Sequence, residues 1–128
     1  MLHDTPAFSG YSVSDQQAAK AFYTDKLGLD VQDTPMGLQL TFFNGHNVFI
    51  YQKDDHTPAN FTVLNFPVDN IEQTVDQLVA NGVIFERYDM LPARQDEKGI
   101  LRGRASNMGP DIAWFKDPSG NILSVLQS

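Results

Sequence analysis

The sequence predicts an α+β fold made of two copies of one βαβββ module, and three observations carry that expectation. Two hairpins share a plan: apolar runs joined by Asp117-Pro118-Ser119-Gly120 between Ile112 and Gln127, and apolar runs joined by Asn44-Gly45 between Leu38 and Gln52. Two helical stretches share another, each following a short strand, opening on polar residues and stopping at Gly28 or Gly82. Between the repeats lies the polar run 53–59, with Pro58, which reads as a linker. The 128 residues fit a single domain, 1–128, with module one at 7–53 and module two at 60–128; a chain of this size buries roughly two-thirds of its unfolded surface.

Taken in order, the apolar positions Phe8, Tyr11 and Val13 form a strand that runs into Ser14-Asp15-Gln16-Gln17. Ser14 and Gln17 have the spacing of a reciprocal cap, in which each side chain satisfies an amide of the other's turn. Ala19, Phe22, Tyr23 and Leu27 recur at helical spacing, which places a helix over 15–27. Three strands follow: Leu29 to Asp33, Leu38 to Phe43 and Asn47 to Gln52, the last two joined by a tight Asn44-Gly45 turn in which both residues tolerate positive φ. Phe61 to Val68 restarts the pattern, and Asp69-Asn70 opens a helix whose face is Ile71, Val75, Leu78 and Val79. Val83 to Tyr88 reads as a strand, and Asp89 to Pro110 as a polar, irregular stretch. Loops longer than ~12–15 residues in compact domains are often binding loops or lids. Asp117-Pro118-Ser119-Gly120 closes the chain as a hairpin turn, Pro118 presetting one angle and Gly120 supplying the positive φ.

Sixteen acidic residues against nine basic ones give a net charge of -7, which repels nucleic acid and anionic lipid surfaces. No run approaches the ~18 apolar residues of a membrane span, and the N-terminal residues resemble no export signal. With no cysteine there is no disulfide, thiolate metal site or cysteine nucleophile. The expectation is a cytoplasmic, globular protein.

The order and spacing of these pieces resemble the vicinal oxygen chelate superfamily, which includes glyoxalase, the bleomycin-resistance proteins and the extradiol dioxygenases. Val13-Ser14-Asp15 followed by Ala21-Phe22-Tyr23-Thr24-Asp25-Lys26-Leu27-Gly28-Leu29 is similar to that family's first helix and its Phe-Tyr and Leu-Gly signature. Val68-Asp69-Asn70-Ile71 through Asn81-Gly82-Val83 is similar to its second helix, and Phe115-Lys116-Asp117-Pro118-Ser119-Gly120-Asn121 to its Asp-Pro-x-Gly-Asn turn. The resemblance implies curved mixed sheets around a shared cavity, commonly in a homodimer. It also implies a divalent metal held by side chains of the first and last strands. The matching positions here are Phe8, Val63, Ser124 and Ile50, with Phe49 or Tyr51 as the alternative to Ile50. Phe, Val, Ile and Ser are poor ligands for a metal that wants imidazole or carboxylate. The expectation is therefore no metal and no cofactor, which leaves glyoxalase isomerisation and ring-cleaving oxygenation without their usual site.

Residues in phase with those positions line the expected cavity: Phe8, Gly10, Ser12, Ile50, Val63, Asn65, Trp114 and Ser124. The set is mostly apolar with a few hydroxyl and amide groups, which suits a small uncharged or aromatic molecule held by stacking. The same residues equally describe a packed core. Trp114, the single tryptophan, reads as a stacking platform or a core residue, and Tyr51 as a donor or a packing residue. His3, His46 and His56 fall in a tail, beside a turn and in the linker, where solvation explains them. Arg94, Asp96, Glu97, Lys98, Arg102 and Arg104 could serve a lid over the ligand or pair with water and one another. Two functions are expected: a metal-independent binder of a small organic molecule, or a lyase, isomerase or dioxygenase of the same superfamily. A dimeric interaction module with its cavity packed shut is the third.

Overall fold

The structure is a computed structural model that describes residues 1–88 and 95–128. The chain divides into two compact units, Met1–Thr57 and Pro58–Ser128. The first contains β1 (Ser9–Val13), α1 (Gln16–Ala21), a π-helical turn (Phe22–Lys26), β2 (Asp30–Thr34), β3 (Gly37–Thr41) and β4 (Asn47–Gln52). Its sheet has the order β1-β4-β3-β2, with β1 parallel to β4 and the remaining pairs antiparallel. The second contains β5 (Thr62–Pro67), α2 (Ile71–Ala80), β6 (Leu101–Arg102), β7 (Asp111–Lys116) and β8 (Ile122–Gln127). Its sheet order is β5-β8-β7-β6, again with only the first pair parallel. The duplication read from the sequence is thus present as two four-stranded sheets of the same order, each with its helix between the first and second strands.

Each helix packs on the middle of its own sheet, α1 on β3 and β4, α2 on β7 and β8. Under α1 lie Val13, Leu38, Leu40, Val48 and Ile50, together with Ala19, Phe22 and Tyr23 from the helical segment, all buried. Under α2 lie Ala113, Phe115, Leu123 and Val125, with Ile71 and Val75 from the helix. Burying a side chain of this kind contributes roughly 1.5–3 kcal/mol, so these layers dominate the stability of each unit.

Several expectations are corrected. The first helix is capped by Asp15, not Ser14: its carboxylate accepts from the amides of Gln17 and Ala18 at 3.0 and 3.1 Å. Its α-helical part ends at Ala21, and the π-helical turn carries the chain on to Lys26. The Asn44-Gly45 turn is a longer loop, because Phe42 donates to the His46 carbonyl and Gly45 to the Phe42 carbonyl. Within it only Gly45 takes positive φ, at 77°. On α2, Val79 is 54% exposed, since the short helix buries only the stripe through Ile71 and Val75. Val83 to Tyr88 is not a strand; Phe85 bridges Phe115 and Glu86 donates to the Trp114 carbonyl, while β6 fills the rest of that edge of the sheet. The irregular stretch therefore contains a strand, and its part 89–94, with Arg94, lies outside the described residues.

Candidate functional site

Strand alternation gives each sheet a helix side and an open side, and pairing register sorts the candidate residues between them. Gln52 and Gln127 mark the helix sides unambiguously. Gln52 Oε1 accepts from the Gln16 amide at 2.9 Å and Gln127 Oε1 from the Ile71 amide at 3.0 Å, each at the first residue of its helix. The two glutamines end equivalent strands. Counting back from each aligns Ser124 with Phe49, and the matching loops Phe42–His46 and Asp117–Asn121 give the same alignment.

Ile50 is corrected by this alignment. It pairs with Tyr11 and Leu38, is 0% exposed and lies on the helix side. The open side of the first unit carries Gly10, Ser12, Phe49 and Tyr51 instead, with Gly10 opposite Phe49 and Ser12 opposite Tyr51. The Phe49 and Tyr51 rings stack, with centroids 5.9 Å apart and planes 19° apart. Ser12 Oγ lies 2.6 Å from His56 Nδ1, so a histidine assigned to a solvated linker comes back onto the sheet. Phe8 precedes β1 and is 68% exposed.

The second unit gathers more of the expected set. Asn65, Ser124 and Trp114 are direct neighbours across β5, β8 and β7. Ser124 is 0% exposed and donates to Asn65 Oδ1 at 2.5 Å. The half-buried Trp114 reaches across β8 to donate from Nε1 to Thr62 Oγ1 at 3.2 Å. On its other flank Tyr88 meets the indole edge to face, with centroids 5.6 Å apart and planes 78° apart. Val63 is the extra residue where the β5–β8 register shifts, and it is half-buried without a paired partner.

Tyr88 was not legible as a site residue, because nothing local in Val83–Tyr88 marks it. Its placement comes from Gln95, whose side chain accepts from the Tyr88 amide at 2.6 Å and donates to the carbonyls of Glu86 and Gly99 at 3.0 and 2.7 Å. The Tyr88 hydroxyl is a buried side-chain oxygen without a hydrogen-bond partner among the described residues. Burial pushes this phenol above its ordinary value, Glu86 adds to the rise and Lys116 opposes it, so it stays protonated.

The charges of the irregular stretch turn the other way. Arg102 pairs with Asp111 in the β6–β7 register on the helix side. It contacts Asp96 at 2.8 Å, Glu72 at 3.3 Å and the buried Asp111 at 3.4 Å. Burial lowers the Arg102 pKa, but Asp96, Glu72 and Asp111 outweigh it and hold the guanidinium above its ordinary value. Lys98 binds Asp76 of α2. These groups fasten the segment to α2 and β7.

The metal expected of the resembling enzymes does not suit the residues present. Phe8, Phe49, Val63 and Ser124 occupy the aligned positions and offer one hydroxyl between them, already donated to Asn65. Among the described residues no three His, Asp or Glu side chains form a group that could hold a metal ion.

Comparison with known proteins is consistent with this geometry. A glyoxalase family protein from Enterococcus faecalis superposes with a TM-score of 0.68 at 24% identity, covering 98% of this chain and 99% of that one. TnmS3, an antibiotic binding protein from a Streptomyces species, gives 0.64 at 22% identity, covering 97% of each chain. FosX, a fosfomycin resistance protein from Listeria monocytogenes, gives 0.66 at 13% identity, covering 95% and 91%. At these identities the likeness shows the fold alone. No curated protein sequence matches the chain. The sequence profile of the Glyoxalase/Bleomycin resistance protein/Dioxygenase superfamily matches residues 7–125, nearly the whole duplicated βαβββ unit described above, and the chain belongs to that superfamily.

Proposed function

We propose that the protein binds a small organic molecule, uncharged or aromatic, without a metal, on the open face around Trp114, Asn65 and Ser124. The observation that carries this reading is the indole held at two points, by Thr62 and by Tyr88, beside a hydrogen-bonded amide in the next strands. A stacking surface fixed before the ligand arrives loses little entropy on binding. The antibiotic-binding neighbour supports the ligand class, as does the absence of acid, base or metal ligands at the aligned positions. Val63 belongs to this proposal as a further contact on the same sheet; Ser12 and Tyr51, with Phe8 before β1, are proposed as ligand contacts of the first unit by itself, and Ile50 is not among them. We place the protein in the cytoplasm as a homodimer, the state to be measured by sedimentation.

A thermal-shift screen of small aromatics, antibiotics and divalent cations tests the reading. A ligand at ~100 times its Kd contributes about 2.7 kcal/mol, or roughly 10 °C at this chain length. Trp114, the single tryptophan, should report the same ligand by fluorescence. A large shift from zinc, nickel or manganese alone would overturn the metal-free reading.

A second reading, a lyase or isomerase, draws on one observation: the contact between Ser12 and His56 next to Tyr51 on the other sheet. A histidine and a hydroxyl within hydrogen-bond reach can move a proton. Its test is turnover of any ligand found in the screen, abolished by His56→Ala while binding persists.

A further inference from the structure

The chain twice places glycine directly after asparagine, at Asn44-Gly45 and at Asn81-Gly82. Both pairs are exposed, but the fold holds them differently. At the end of α2, Asn81 N–H donates to the carbonyls of Gln77 and Leu78 at 3.1 and 3.0 Å, Gly82 N–H to that of Val79 and Val83 N–H to that of Leu78, both at 3.0 Å. Asn81 has φ -86° and ψ 2°, at which the Gly82 nitrogen eclipses Asn81's own nitrogen and is turned away from Cβ. Bringing that nitrogen round to the side chain would break the bonds that close the helix.

The loop between β3 and β4 is fastened by Phe42 N–H on the His46 carbonyl at 3.0 Å and Gly45 N–H on the Phe42 carbonyl at 2.9 Å. Asn44 Oδ1 accepts from the His46 amide at 3.0 Å, an Asx turn that folds the side-chain carbonyl forward along the Gly45 peptide. Gly45 takes φ 77°, and nothing stands within 4 Å of the place a Cβ would occupy. The Asn44 side chain is therefore carried toward the nitrogen that follows it, with a donor already on its oxygen and open space alongside.

We infer that Asn44 is a site of spontaneous deamidation that inserts isoaspartate into the β3–β4 hairpin, and that the same dipeptide at Asn81 is protected by the end of α2. The Gly45 nitrogen gives its proton to solvent and bonds to Asn44 Cγ. Charge gathers on Oδ1, where the His46 N–H stabilises it. The carbonyl reforms, the Cγ–Nδ2 bond breaks, and Nδ2 takes a proton from water and leaves as ammonia. Water then opens the five-membered ring at either carbonyl. Opening at Cγ gives aspartate; opening at the main-chain carbonyl gives isoaspartate, which lengthens the main chain by one carbon between Thr41 and Asn47, the last pair of the β3–β4 ladder.

Peptide mapping by mass spectrometry of the full chain, incubated in mildly alkaline buffer, measures both sites at once. Asn44 should lose ammonia at least tenfold faster than Asn81 in the folded protein, and the two rates should converge to within a few fold in guanidinium chloride, since glycine follows both. Equal rates in the folded protein overturn the inference. A gap that persists in denaturant overturns it as well, because local sequence rather than the fold would then set the order. The isoaspartate form, separated by ion exchange, should unfold at a lower urea concentration than the Asn44→Asp variant, which keeps both the chain length and an acceptor for His46. Equal midpoints would overturn the claim that the modification disturbs the hairpin.

Discussion

The two units have the same topology, the same helix-to-strand caps and the same hairpin loop, yet their open faces differ in kind. The first presents Gly10, Ser12, Phe49 and Tyr51, with aromatic rings stacked on one another. The second presents Asn65, Ser124 and Trp114, with polar side chains interlocked across three strands. The shared parts are those that close backbone hydrogen bonds at strand and helix ends, which any copy of the module must satisfy. The differing parts lie where the pleat turns side chains away from the helix, and there the fold imposes no chemistry.

The sharpest way to break the likeness is at the loops. Asp117 is 5% exposed and accepts from the amides of Ser119 and Asn121 at 2.9 Å and from Asn121 Nδ2 at 3.0 Å. Its counterpart Phe42 makes no such network; there Asn44 Oδ1 accepts from the His46 amide at 3.0 Å. Asp117→Ala strands several donors and should cost about 3 kcal/mol, against about 1 kcal/mol for Asn44→Ala. Urea denaturation of both variants measures the difference, and equal losses would show that the buried carboxylate adds nothing.

Exchanging the faces comes next. Gly10 occupies the place of Asn65, but a Cβ there would sit 2.9 Å from the Phe49 carbonyl oxygen, a backbone atom that cannot rotate away. Gly10→Asn should therefore destabilise by about 2 kcal/mol. A stable variant would mean that the first sheet opens to admit the side chain, which the urea midpoint would report.

The fold was legible because its signals are local. Turn residues, caps and apolar periods sit within a few positions of one another, so both copies could be read from the string alone. The face was partly legible: Asn65, Trp114 and Ser124 share a phase, and pairing register does make them neighbours. Ile50 failed because a one-residue slip in a strand reverses its side, and it takes the Gln52 cap and the matched hairpin loops to fix which side faces the helix. His56 and Tyr88 failed for another reason. His56 meets Ser12 across 44 residues, and Tyr88 reaches Trp114 without a strand of its own, anchored by Gln95. Val83 to Tyr88 has strand propensity, but propensity is satisfied here by a single bridge.

The caps test how far the equivalence extends into energy. Gln127 caps Ile71 in a half-buried setting and Gln52 caps Gln16 at the surface. Gln127→Ala should cost about 1 kcal/mol and Gln52→Ala about 0.5 kcal/mol, since water replaces the exposed partner more readily. The order of the two urea midpoints checks this, and the reverse order would show that burial does not grade the pair.

The smallest effect has the opposite sign. Tyr88 hides a hydroxyl that no group among the described residues satisfies, so Tyr88→Phe should stabilise the ligand-free protein by about 0.5 kcal/mol at neutral pH. The folded phenol titrates above its ordinary value of 10.0, chiefly through burial. The folded state thus holds this proton more tightly than the unfolded chain. Its contribution is complete below the unfolded pKa and is lost as pH rises from there through the folded one. Above pH 10 the wild type should therefore lose stability relative to the variant, and the gap between their melting curves should widen. The first unit has no comparable buried hydroxyl among the described residues, so this alkaline divergence belongs to the second unit alone. A variant less stable than the wild type at neutral pH would mean that the hydroxyl already has a partner.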